Sequence, residues 1–193
     1  MTRGRLIAFE GLDQSGKQTQ ALRLREALQS SGLRVVSFDF PDYATPIGRE
    51  IGAALGGGRA FPPDCLQLLY VANRCEHRPA IEAALAAGAW VVCDRYLASS
   101  IAYGEAQGLD PEWLAVIQRG LPPADMTVLL DIAPAVAAQR KQQQRDAFEQ
   151  DLALLARVRA SYLRQASLTS GWHVVDAARH RDDVTVDVLA LGR

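Results

Sequence analysis

The chain has 193 residues, with 21 basic and 22 acidic side chains and a formal net charge of -1. That size leads us to expect one domain, and that charge excludes the broad cationic surface that follows a nucleic-acid polymer. Hydrophobic residues at 49% and charged residues at 22% exclude a disordered polar chain. The longest apolar stretch, residues 83–93, includes Gly88 and is far shorter than the ~20 residues that span a bilayer. The shortness of the apolar run Leu6–Phe9 and the lack of a small-residue cleavage site lead us to expect no secretory leader. Cys65, Cys75 and Cys93, like His77, His173 and His180, lack metal-ligand spacing, which fits free thiols in a reducing cytoplasm.

Taken in chain order, short apolar runs alternate with helical stretches. Leu6–Phe9 reads as the first strand, and Ala21, Leu24 and Leu28 mark the stripe of a following helix that Gly32 stops. Val35–Phe38 reads as a second strand, 64–87 as a long helix, and Trp90–Cys93 as a third strand. Thr127–Leu130 and Trp172–Val175 supply two more strands, with a helix over 147–168 between them. Residues 56–58 and 121–123 read as loops, and 139–146 as a polar helix end or a cationic flap. The tail 182–191 fits either a strand or a closing helix. Near-continuous apolar strands imply cover on both faces, hence a three-layer α/β fold with five parallel strands.

The strongest chemical signal is Gly11-Leu12-Asp13-Gln14-Ser15-Gly16-Lys17-Gln18-Thr19. It follows a strand and opens a helix, the context in which glycines curl backbone N–H groups around a phosphate at a helix N-terminus. Lys17 then neutralises β- and γ-phosphate charge. Asp94-Arg95-Tyr96 closes the third strand, where ligands sit in open α/β sheets. There Asp94 suits Mg²⁺ or its waters and Arg95 suits a bidentate phosphate clamp, unless the two form a plain surface ion pair. Tyr70 and Arg74 share a helix face. They suit stacking on a base and bonding its edge, or serve simply as a core tyrosine and a surface arginine.

Together these motifs resemble the thymidylate kinase family, the nucleoside monophosphate kinases that phosphorylate dTMP. The resemblance runs from Phe9-Glu10-Gly11-Leu12-Asp13 through Phe40-Pro41-Asp42-Tyr43, Ala72-Asn73-Arg74 and Asp94-Arg95-Tyr96 to Gly120–Asp125 and Val175-Asp176-Ala177. It implies a P-loop NTPase fold in one domain over 1–193, with a lid at about 139–149, and transfer of phosphate from ATP to dTMP with Mg²⁺. It also implies small-molecule partners, no membrane, and a homodimer. Residues 11–19 take the ATP phosphates, and Asp13 accepts from the sugar 3′-hydroxyl. Phe40, Tyr43, Arg74 and Arg95 line the acceptor pocket, with Arg95 on its phosphate. Tyr70 stacks on thymine, Ser99 and Ser100 lie near the base, Tyr103 faces C2′, and Asp94 organises Mg²⁺.

The sequence departs from the family pattern at three points. Gln18 stands where a metal-binding hydroxyl is usual, and Gln14 is neutral where several members carry a basic residue. Members without that residue carry catalytic arginines in the lid, a role open here to Arg140, Lys141 and Arg145. Asp146-Ala147-Phe148-Glu149, however, has alanine at the arginine position of the usual lid pattern. Other expectations remain for the site. One is a kinase for another small acceptor such as dUMP, CMP or a deoxynucleoside; another is an inactive nucleotide-binding regulator.

Overall fold

The computed structural model describes residues 3–140 and 151–192. Five strands, β1 (Leu6–Glu10), β2 (Val35–Asp39), β3 (Trp90–Asp94), β4 (Met126–Asp131) and β5 (Trp172–Asp176), form one sheet in the order β2-β3-β1-β4-β5. All four pairings are parallel, so each connection must cross over the sheet. Among the described residues the crossovers use α1 (Lys17–Ser30), α2 (Pro46–Leu55), α3 (Pro63–Ala86), α4 (Leu97–Ala106), α5 (Pro111–Val116), α6 (Pro134–Arg140) and α7 (Leu152–Leu168). Helix α8 (Arg181–Leu191) follows the last strand.

Side chains alternate between faces along a strand, and β1 feeds two cores in that way. Ile7 and Phe9 pack with α1, α4, α7 and α8, while Leu6 and Ala8 pack with Ile81, Ala84 and Leu85 of α3. Phe9, Leu6 and Ile81 are fully buried, so truncating any of them to alanine costs about 2–5 kcal/mol.

The full-cover expectation holds at the centre and fails at the edges. Strand β1 is buried throughout, whereas β2 is nowhere fully buried and Val174 of β5 is 51% exposed. Each of these strands has a neighbour on one side alone, and edge strands lie partly open to water. The tail forms the helix, not the strand: Val184 and Val188 bury one face, and Arg23 of α1 donates to Asp182 and Thr185. The helix expected over 147–168 begins at Leu152, where Asp151 accepts from the Leu154 amide. Of the lid expected at about 139–149, residues 141–149, with Lys141, Arg145, Asp146 and Ala147, lie outside the described residues.

Candidate active site

Beyond the carboxyl end of β1 the chain turns at Gly11, whose φ of 138° favours glycine; any Cβ there would meet the Leu130 carbonyl at 2.5 Å. Gln14 and Gly16 also take positive φ, at 65° and 95°. The loop curls so tightly that Lys17, in the first turn of α1, reaches back to donate to the Leu12 carbonyl at 2.9 Å. Burial lowers the Lys17 pKa, and Arg95 lowers it further against the opposing pull of Asp13. A cation disfavoured by its surroundings is primed to gain from an incoming anion. Gln18 and Thr19 are exposed on the same rim.

Arg95 follows β3 in the left-handed region, with φ 62°, and its amide donates to Phe9 of β1. A non-glycine residue there is strained and persists where its surroundings fix it. The fixing group is Glu10. Fully buried, it accepts from the amides of Tyr96 and Ser99, the Ser99 hydroxyl and the Tyr162 hydroxyl. The Arg95 guanidinium consequently lies over the phosphate loop, donating to Gly11 at 3.2 Å and to Asp13 at 2.5 Å. Burial works against the Arg95 charge, yet Asp13 and neighbouring groups hold its pKa well above the usual value. Burial likewise pushes Asp13 up, but Arg95 and Lys17 outweigh it and hold the carboxyl far below the usual range.

Two contiguous cavities meet at these residues. One, of about 450 Å³, opens under the phosphate loop between Lys17, Gln18, Thr19, Asp39, Asp94 and Arg95. The other is narrower, about 90 Å³, and brings together Tyr70, Arg74, Ser99, Ser100 and Tyr103 with Phe40, Pro41, Tyr43 and Leu55. Asp13, Phe40, Pro41, Tyr43 and Arg95 line both. Arg74 is buried, not a surface arginine, and donates to Ser100 at 2.8 Å; burial lowers its pKa. The loop carrying Phe40 and Tyr43 is held to α3 by Asn73, which accepts from the Asp42 amide and donates to Thr45.

Arg140, at the end of α6, bonds the Gln14 carbonyl from one nitrogen and the Ala177 carbonyl from another. It borders a third cavity, of about 310 Å³, with Ser15, Gly16, Gln20, His180 and Arg181. Arg145 lies outside the described residues.

Divalent-cation chemistry also fits the rim. Asp94 Oδ1 is buried without a hydrogen-bond partner. Asp39 is its register partner on the adjacent strand, about 5 Å away. Hard oxygen donors of this kind suit Mg²⁺. No group of three or more His, Cys, Asp or Glu able to hold a metal occurs among the described residues, so phosphate oxygens and water would complete the shell.

The sequence reading missed Glu10, Asp39, Gln67 and Tyr162. Asp39 carried a readable signal, a carboxylate ending a strand one residue before Phe40-Pro41. Burial raises its pKa, and repulsion from Asp94 adds to that rise against Arg25.

A parallel sheet with a curled glycine loop between β1 and α1 and a cationic arm after β3 defines the P-loop NTPase fold. Within that class, the thymidylate kinase family model matches residues 9–188. The chain belongs to the thymidylate kinase family, whose members are nucleoside monophosphate kinases. It is 40% identical to thymidylate kinase of Schizosaccharomyces pombe over 147 residues, covering 76% of this chain and 70% of that one. It is 35% identical to thymidylate kinase of Danio rerio, covering 98% and 90%. The solved thymidylate kinase of Candida albicans superposes with a TM-score of 0.81 at 30% identity, covering 98% of this chain and 91% of that one.

Proposed function

We propose that this chain transfers the terminal phosphoryl group of ATP to dTMP, giving ADP and dTDP. The observation that carries the reading is the position of Arg95, whose guanidinium borders both the phosphate-loop cavity and the narrower pocket. An acceptor bound there presents its phosphate to the donor across a single cation. Residues 11–19 hold the donor phosphates, and Arg140 and Arg145 belong to the lid side. Tyr70, Arg74, Ser99 and Ser100 take the base; Asp13 and Tyr103 take the sugar.

The acceptor is already an anionic phosphate, so no side chain has to remove a proton from it. An acceptor phosphate oxygen attacks the γ-phosphorus, and the β–γ bridging oxygen leaves with ADP. Catalysis then rests on alignment and on neutralising charge spread over the moving group. Lys17 supplies that charge on the donor side and Arg95 on the acceptor side. Asp94, with Asp39 beside it, would hold Mg²⁺, which would supply further neutralisation of the donor phosphate charge. Exclusion of water by the lid suppresses hydrolysis of ATP.

The reading extends to one domain over 1–193, acting as a homodimer in the cytoplasm on small-molecule ligands. It is tested by coupled ADP release across a panel of dTMP, dUMP and CMP with Mg²⁺. Faster turnover of dTMP is expected; equal or faster turnover of dUMP or CMP overturns the acceptor assignment. Tight binding of ATP and dTMP without dTDP formation overturns the catalytic one. The Candida albicans relative is described as having broad substrate specificity, which makes the panel the decisive measurement.

A further inference from the structure

Five asparagine or glutamine side chains are buried among the described residues: Gln20, Gln67, Asn73, Gln118 and Gln165. Four of them are satisfied by hydrogen bonds. Gln20 bonds Arg181 and Thr185, Asn73 bonds Asp42 and Thr45, Gln118 bonds Leu114 and Arg74, and Gln165 bonds Ala98 and Ser161. Gln67 differs. It is 0% exposed, yet neither its Oε1 nor its Nε2 has a hydrogen-bond partner. A buried amide without partners is destabilising to the fold, and such groups point to a ligand that completes them.

The location of Gln67 says which part of a ligand that is. Gln67, Tyr70 and Arg74 stand at i, i+3 and i+7 of α3 and so share one helix face. All three line the narrower pocket, and none of them lines the cavity under the phosphate loop. Gln67 therefore belongs to the part of the pocket that the phosphate-loop cavity does not share, a part that also includes Leu55. Arg74 adds a third buried polar atom without a partner, its Nε, while its Nη1 is engaged by Ser100 and Gln118. Among the described residues lining this pocket, the buried side-chain atoms without a partner are one acceptor, Gln67 Oε1, and two donors, Gln67 Nε2 and Arg74 Nε. A base edge in which an imide N–H is flanked by carbonyl oxygens requires one acceptor and donors.

We propose that Gln67 is a specificity-determining residue of the acceptor pocket, its side-chain amide hydrogen-bonding the carbonyl–imide edge of a pyrimidine base. The inference rests on the reading of that pocket as a nucleoside monophosphate site. Nε2 donates to a ring carbonyl and Oε1 accepts from the imide N–H, so two parallel bonds fix the ring in its plane. The 5-methyl group takes no part in this edge. Gln67 consequently selects the imide edge and leaves thymine and uracil undistinguished.

The test compares wild type with Gln67→Met, which keeps the length of the side chain and removes both polar atoms. Gln67→Leu serves as a second variant. Melting temperature, dissociation constants for dTMP, dUMP and deoxyribose 5-phosphate, and kcat at saturating dTMP are measured. The proposal expects dTMP and dUMP to weaken by a common factor of about ten or more, the loss of two neutral hydrogen bonds. It expects deoxyribose 5-phosphate, which has no base, to bind unchanged, and kcat to stay within about threefold. It also expects the variant to melt at or above the wild-type temperature, because an unsatisfied amide has been replaced by an apolar group. Unchanged dTMP affinity, equal weakening of all three ligands, or a lower melting temperature with intact affinity overturns the proposal. Wild-type protein that neither binds nor phosphorylates dTMP overturns the reading of the pocket itself, a different result from active wild type with an unaffected variant.

Discussion

Arg95 Nη2 lies 2.5 Å from Asp13 Oδ1, so the two residues where the cavities meet neutralise each other. On the proposed function, an acceptor phosphate that takes Arg95 competes with Asp13, and its sugar hydroxyl offers Asp13 a replacement partner. The pair also makes stability depend on pH. Burial raises the Asp13 pKa but the two cations overcome it, leaving the folded-state value below the unfolded one. The stabilisation is therefore complete above the ordinary carboxylate pKa, about 3.9, and is lost as pH falls toward the lowered value. Asp13→Asn should cost on the order of 1–2 kcal/mol at pH 7. This is less than a sealed ion pair would give, because the Asp13 side chain remains 32% exposed. Urea unfolding of both proteins should show the gap closing below about pH 4; a gap independent of pH refutes the assignment.

Lys17→Ala separates stability from catalysis. The cation is 6% exposed, and its burial acts against its charge, so removing it should leave the melting temperature unchanged or higher. Turnover should fall at least about a hundredfold, the scale of losing one group that meets developing charge. Near-normal turnover contradicts its role.

Metal dependence should trace the β2–β3 carboxylate pair. Chelation with EDTA should abolish turnover, and excess Mg²⁺ should restore it. Asp94→Asn should raise the Mg²⁺ concentration for half-maximal rate more than Asp39→Asn, because the Asp94 oxygen is the buried, unpartnered one. Mn²⁺ binding followed by paramagnetic resonance should rank the two variants in the same order. Wild-type Mn²⁺ affinity in both variants removes the pair from the site.

Asn73→Ala tests the tie between the Phe40–Tyr43 loop and α3. Asn73 is 0% exposed and bonds the Asp42 amide, the Asp42 carbonyl, Thr45 and Glu76. Its loss should lower stability by about 2–4 kcal/mol and raise the KM for dTMP more than it lowers kcat. An unaltered KM at reduced stability would confine Asn73 to a role in folding alone.

Features carried by neighbours in sequence were legible without coordinates. Leu6–Phe9 followed by a glycine loop and Lys17 located β1, the loop and α1, because strand, turn and helix signals are local. Tyr70 and Arg74 could be placed on one face of α3, though whether Arg74 was buried could not be read from that spacing. Glu10 and Tyr162 escaped notice because their value lies in a contact across 152 positions. Gln67 escaped because an unpaired amide is defined by the partners it lacks. Strands β2 and β5 read as fully covered since their composition matches the central strands; their place at the sheet edges is a property of topology. The tail was ambiguous because its Asp/Val alternation satisfies two periods, and packing of Val184 and Val188 decided between them.

The buried carboxylate of Glu10 has one more consequence. Gly11 follows it directly in the chain, and the backbone of Tyr96 and Ser99 is anchored to its oxygens. The donor loop and the Arg95 arm thus start from a common origin. The offset between the phosphate loop and the Arg95 arm is a gauge set by the β1–β3 pairing, ~4.8 Å across, with Phe9 opposite Asp94. Gln67, Tyr70 and Arg74, which line the narrower pocket from α3, stand outside that gauge. On the proposed function, a change of acceptor can therefore be written on α3 and the loop after β2 while the offset between the phosphate loop and the Arg95 arm stays the same.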